Sequence, residues 1–96
     1  TWEIDRRRQS PETEPSLSEM TSKALELLSA SDKPFFVMIE AARIDMSEHL
    51  HDGPAEYFEL QEYMKSVQIV KDFVAEHPNT LVIAVADHET GGLTIG

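Results

Sequence analysis

Asp87 and His88 stand side by side at the end of an apolar run, Leu81-Val82-Ile83-Ala84-Val85-Ala86, and Glu89-Thr90-Gly91-Gly92 follows them. A carboxylate and an imidazole at the mouth of a buried strand are costly to desolvate unless something compensates them, and a divalent metal does that well. A second apolar run, Phe35-Phe36-Val37-Met38-Ile39, ends on Glu40, and Asp45 and His49 come soon after. Two such runs, each discharging acids and a histidine at one end, look like the two halves of a metal site. Plainer readings stand beside this one: Glu40 can simply end a strand, and Asp45-x-x-x-His49 can be one helical turn with a surface acid–base pair. Gly91-Gly92, which lets backbone approach closely, adds weight to the metal. Neither remaining histidine is expected to be a ligand. His51 lies in a solvated loop beside Asp52-Gly53, and His77 precedes Pro78 at a helix C-terminus, where a partly charged imidazole suits the dipole.

Four elements must position these groups. Residues 1–15 are polar, with Arg6-Arg7-Arg8, Pro11 and Pro15, and read as an exposed connector whose arginines form a solvated basic turn. Ser16-Leu17-Ser18-Glu19 is a capping box, and Leu17, Met20, Ala24, Leu27 and Leu28 recur at helical spacing to about Ser29. Ser31-Asp32-Lys33-Pro34 breaks that helix, and a strand is predicted from about Phe35 to Glu40. Asp52-Gly53-Pro54 opens a second helix, lined on one face by Leu60, Met64, Val67, Val70 and Val74 and stopped by His77-Pro78. A last strand is predicted from about Thr80 to Ala86. The order strand–helix–strand implies two parallel strands joined by a right-handed crossover helix. Their C-terminal ends then share one sheet edge, which gathers Glu40, Asp45, His49, Asp87 and His88 where open α/β sheets bind ligands.

Composition limits the alternatives. The chain has 96 residues, 41% hydrophobic content and a formal net charge of −10. So acidic a chain suits neither nucleic acid nor anionic membrane surfaces. The absence of cysteine excludes disulfides and thiolate ligands. No segment approaches a membrane span and no signal peptide is visible. The chain starts on Thr1 and reads as an excerpt of something longer.

Over essentially its whole length the chain resembles the metal-dependent alkaline phosphatases, most closely the bacterial type. Trp2-Glu3-Ile4-Asp5-Arg6 is similar to the segment leading into the family's Pro-Ser-Leu-x-Glu-Met-Thr helix, here Pro15 to Thr21. Glu40-Ala41-Ala42-Arg43-Ile44-Asp45 is similar to its Glu-Gly-x-Arg-Ile-Asp signature, and Ala86 to Leu93 to its Ala-Asp-His-Glu-Thr-Gly-Gly-Leu signature. Ala41-Ala42 departs from the usual glycine, and Met64 from a usual aspartate.

The resemblance implies part of one catalytic domain spanning residues 1–96, a fragment of an open three-layer α/β/α sandwich. It implies that Glu40 binds Mg2+, that Asp45 and His49 bind one Zn2+, and that Asp87 and His88 bind a second. The implied activity is hydrolysis of a small phosphomonoester through a phosphoserine intermediate, in a homodimeric, periplasmic or extracellular parent. No catalytic residue is expected in this segment. The family's nucleophilic serine, metal-binding aspartate and phosphate-clamping arginine are expected upstream, and a further zinc-ligand histidine downstream. The chain alone is accordingly expected to be inactive. Sulfatases, phosphodiesterases and cofactor-independent phosphoglycerate mutases share the fold and metal pattern and form the sister reading. A non-catalytic metal-binding remnant is the other.

Overall fold

The computed structural model describes residues 1–9 and 12–94, so Pro11 of the expected connector lies outside the described residues. Among them the regular elements are all helical: α1 (Glu3–Gln9), α2 (Leu17–Ser29), α3 (Arg43–His49) and α4 (Gly53–Glu76). The two long helices begin where local chemistry says they should. Ser16 Oγ accepts from the Glu19 amide while the Glu19 carboxylate accepts from the Ser16 amide, closing the capping box of α2. Asp52 accepts from the Ala55 amide at 3.0 Å, and Pro54 sits in the first turn of α4. At the other end of α4, His77 Nδ1 bonds the Phe73 carbonyl at 2.8 Å and its ring stacks on Phe73 at 4.0 Å.

The expected α/β sandwich fragment is not what forms. Residues 34–41 and 80–90 carry no strand, and no β-ladder exists among the described residues. A strand is defined by pairing, since each edge needs a neighbour for its N–H and C=O groups. Neither run finds one, although α4 separates them as a crossover helix would. Their side chains show the same lack of a neighbour: Phe36 is 91% exposed, Leu81 84% and Ile83 75%. Apolar periodicity marks a segment that wants burial; it does not supply the surface that buries it.

Docking instead runs through α4, against which α1, α2 and α3 all lie. Among the described residues only Leu25 and Ala55 are buried hydrophobics. The expected apolar stripe of α4 faces partly outward, with Leu60 and Met64 exposed, while Glu62 and Ser66 are buried. Polar pairing explains the rotation. Glu62 accepts from both the amide and the hydroxyl of Ser18 on α2, and Arg7 of α1 lies 3.5 Å from its other oxygen. Buried Glu3 accepts from Arg6 Nε and Arg7 Nε, each at 2.7 Å, and its own amide donates to Glu59 of α4 at 2.7 Å. Arg6 and Arg7, expected in a solvated turn, are thus ion-paired on a helix. The Arg7 guanidinium also covers the Phe58 ring at 5.1 Å.

This junction has a pH signature. Burial pushes the Glu62 carboxyl up, but the bonds from the Ser18 hydroxyl and amide and from the Ser16 hydroxyl, with Lys65, outweigh it and hold the group at about 2 against an ordinary 4.5. A carboxylate lowered on folding stabilises fully above its unfolded value and loses that contribution as pH falls through its folded value. Burial moves Glu59 the opposite way, partly offsetting the trend. The helical circular-dichroism signal is therefore expected to decline between about pH 4.5 and pH 2. Glu62→Gln should be less stable at neutral pH and show a shallower acid decline. An acid slope equal to wild type would assign the transition to other carboxylates.

Candidate metal centre

α3 is short, and its inward residue sets the direction of the others. Ser47 is fully buried and donates to the Ile44 carbonyl at 2.7 Å. Asp45 and His49 flank it two residues away on either side, about 200° around the helix, so both turn outward on one face. The His49 Nε2 atom lies 3.6 Å from Asp45 Oδ2. The start of α3 is held by Arg43, whose guanidinium covers the Trp2 ring at 4.7 Å.

The second pair lies in the irregular segment beyond α4. The His88 amide donates to Asp87 Oδ1 at 3.1 Å, and His88 Nε2 stands 3.4 Å from Asp87 Oδ2. Thr90, itself buried, joins the two pairs. Its hydroxyl donates to Asp45 Oδ1 at 2.6 Å, and its oxygen lies 3.1 Å from His88 Nδ1. His88 Nδ1 also lies 2.8 Å from the Glu89 carbonyl, which can only accept, so Nδ1 carries the proton. In the neutral ring Nε2 is then left with its lone pair, facing Asp87. The bond to the Glu89 carbonyl, followed by the charges of Asp87, Asp45 and Glu48, raises the pKa of His88 above the ordinary imidazole value.

The spacing fits a metal. Two ligand atoms each about 2.0–2.1 Å from a tetrahedral zinc stand about 3.3–3.4 Å apart. The two Nε2–Oδ2 separations, 3.6 and 3.4 Å, are close to that value. Each pair supplies two donors, and among the described residues no three acids and histidines close on one point. Glu40 stands elsewhere: exposed, it lines a cavity of about 260 Å³ with Glu3, Arg6, Arg43, Glu59 and Glu62. The structure thus links four of the five expected ligands through Thr90 and leaves Glu40 at a second location.

Two contributors escape a reading by residue type. Thr90 stood in the sequence only as part of the Ala86–Leu93 signature, with no role of its own. His51, taken for a solvated loop residue, places Nε2 at 2.8 Å from the Gly91 carbonyl, although its side chain remains exposed. The expected close approach at the glycines is present at Gly91, where an added Cβ would stand 2.6 Å from the Glu48 carbonyl oxygen.

The alkaline phosphatase family model matches residues 2–96. An alkaline phosphatase of Schizosaccharomyces pombe is 45% identical over 90% of this chain and 17% of its own length. Alkaline phosphatase 4 of Bacillus subtilis is 39% identical over 85% of the chain and 18% of its own. The Escherichia coli alkaline phosphatase is 40% identical over 77% of the chain and 16% of its own. The chain therefore spans about a sixth of the length of these relatives. No solved structure matches it.

Thr90→Val keeps the side-chain shape and removes the hydroxyl that joins Asp45 to His88. If the two couples hold zinc, as the resemblance implies, calorimetric titration with Zn2+ should show affinity weakened about tenfold, the usual cost of losing a group that orients a ligand. Thr90→Ser should bind within about threefold of wild type, because the hydroxyl remains. Equal affinity in the valine variant would remove Thr90 from the site.

Proposed function

This chain belongs to the alkaline phosphatase family, and from that premise we propose that it is part of a phosphomonoester hydrolase in which Asp45 and His49 hold one zinc ion, Asp87 and His88 a second, and Glu40 a magnesium ion. What supports this reading above all is the pair of Nε2–Oδ2 couples, 3.6 and 3.4 Å, bridged by a single buried threonine. The donors are oxygen and nitrogen without thiolate, which suits both metals. When bound, two zinc ions would activate the attacking oxygen and stabilise the leaving one.

The chain's own residues have separate roles. Asp45 splits its carboxylate, one oxygen fixed by Thr90 and the other facing His49. His88 keeps its proton on Nδ1 and presents Nε2 beside Asp87. The four side chains remain solvent-accessible, His49 at 67% and Asp87 at 88%, so a phosphate ester can approach from outside. The phosphoserine intermediate requires a nucleophilic serine, and Ser47 is unsuited to attack, being fully buried with its proton spent on the Ile44 carbonyl. A homodimeric parent acting in the periplasm or outside the cell completes the reading. No helix among the described residues is long and apolar enough to cross a membrane.

Release of phosphate from an activated aryl phosphate, with zinc and magnesium supplied, tests the proposal in the full-length protein. His49→Ala and His88→Ala should each lower kcat/KM by at least about a hundredfold. Activity within about tenfold of wild type in both variants would overturn the ligand assignment. The 96-residue chain alone should release no phosphate. Turnover by it comparable to the full-length protein would show that a nucleophile had been overlooked within it.

A further inference from the structure

The C-terminus of α3 closes in a way that singles out one residue. The His51 amide donates to the Glu48 carbonyl and the Asp52 amide to the Ser47 carbonyl, both at 3.0 Å. Those two bonds are a Schellman motif, in which the residue just past the helix cap turns left-handed. Glycine usually occupies that place because a Cβ is disfavoured there. Here it is His51, at φ 52°, and among the described residues no other non-glycine has positive φ. A side chain retained where glycine is easier calls for a compensating contact. His51 has one: a carbonyl only accepts, so Nε2–H donates to Gly91 at 2.8 Å, across 40 residues of chain.

Gly91 is fitted to the same place. It too is left-handed, at φ 68°, and an added Cβ would stand 2.6 Å from the Glu48 carbonyl oxygen and 3.6 Å from the His51 ring. Glu48 is the very residue whose carbonyl receives the His51 amide. Main chain on main chain below and imidazole on carbonyl above thus grip Gly91 at the end of α3. Gly91 directly follows Thr90, and through it the segment of Asp87 and His88 is fastened to the helix that carries Asp45 and His49.

We propose that His51 is a positioning residue that holds the Asp87–Gly92 segment against α3, so that the two donor pairs are placed before metal arrives. Its purpose rests on the two-zinc reading above; its contact does not. In this arrangement His51 acts on the segment and not as a ligand, since its Nε2 is spent on Gly91.

The decisive variant is His51→Gly in the full-length protein, because it separates the two roles. Glycine relieves the left-handed backbone, so the unfolding temperature of the metal-free protein should stay level or rise. Amide hydrogen exchange across residues 88–92, read without metal, should quicken about tenfold as the grip is lost. Zinc affinity should weaken about tenfold. His51→Gln, whose side-chain amide can still donate to Gly91, should recover most of both. Exchange unchanged from wild type would overturn the proposal. Quickened exchange with unchanged zinc affinity would overturn it equally, by showing a contact that positions nothing. A wild-type protein that bound no zinc would instead be the failure of the two-zinc reading, and the exchange measurement would still report the contact.

Discussion

One buried carboxylate, that of Glu62, lies where three helices meet. From the middle of α4 it receives Ser18 at the start of α2 and faces Arg7 on α1. In a layer only 17 Å across its thin direction, with two buried hydrophobic side chains among the described residues, apolar packing cannot by itself fix how the helices sit. A buried charge can, because removing any partner strands it without water. The geometry it imposes is specific even where its net energy is small. It is also why α4 turns a glutamate and a serine inward and leaves leucine and methionine to solvent.

Small hydroxyl residues do the rest of the close fitting. Thr21, Ser47 and Ser66 are all buried, and each donates back to a carbonyl of its own helix at 2.7–2.9 Å. Satisfied in this way, they bury no unpaired polar group and take little room, so neighbouring elements approach. The consequence for chemistry is clearest at Ser47. Burying it pins the back of a seven-residue helix, and the two donors on the opposite face have nowhere to go but outward.

What the sequence made legible follows the range of each interaction. The ends of α2 and α4 were readable because a capping box and an Asx cap involve residues three apart. Acids and histidines closing two apolar runs marked Asp45, His49, Asp87 and His88 by type; in the structure they form two separate pairs joined through Thr90, with Glu40 apart. Strand pairing was not, because it depends on a neighbour that no local pattern guarantees, and Phe36 and Ile83 are exposed for want of one. The inward face of α4 was misjudged for a related reason: hydrophobic periodicity counts leucines, whereas here the hydrogen bonds of a buried carboxylate with Ser18 decided the rotation. Thr90 and His51 were missed because their partners, Asp45 and Gly91, lie 45 and 40 residues away. The left-handed backbone at His51 left no mark at all, since histidine in a polar loop before glycine looks like any solvated residue.

The bridging hydroxyl of Thr90 also selects the tautomer of His88. A threonine that gives its proton to Asp45 has only its lone pairs left for His88, which must then supply the proton between them from Nδ1. This fixes one tautomer and leaves the Nε2 lone pair facing Asp87. The alternative tautomer would set a bare Nδ1 against the Glu89 carbonyl, two acceptors 2.8 Å apart with no proton to share. Two carboxylates held beside two imidazoles in a chain of net charge −10 repel one another until something positive arrives. A proton on His88 relieves part of that repulsion, adding to the bond with the Glu89 carbonyl that chiefly raises its pKa.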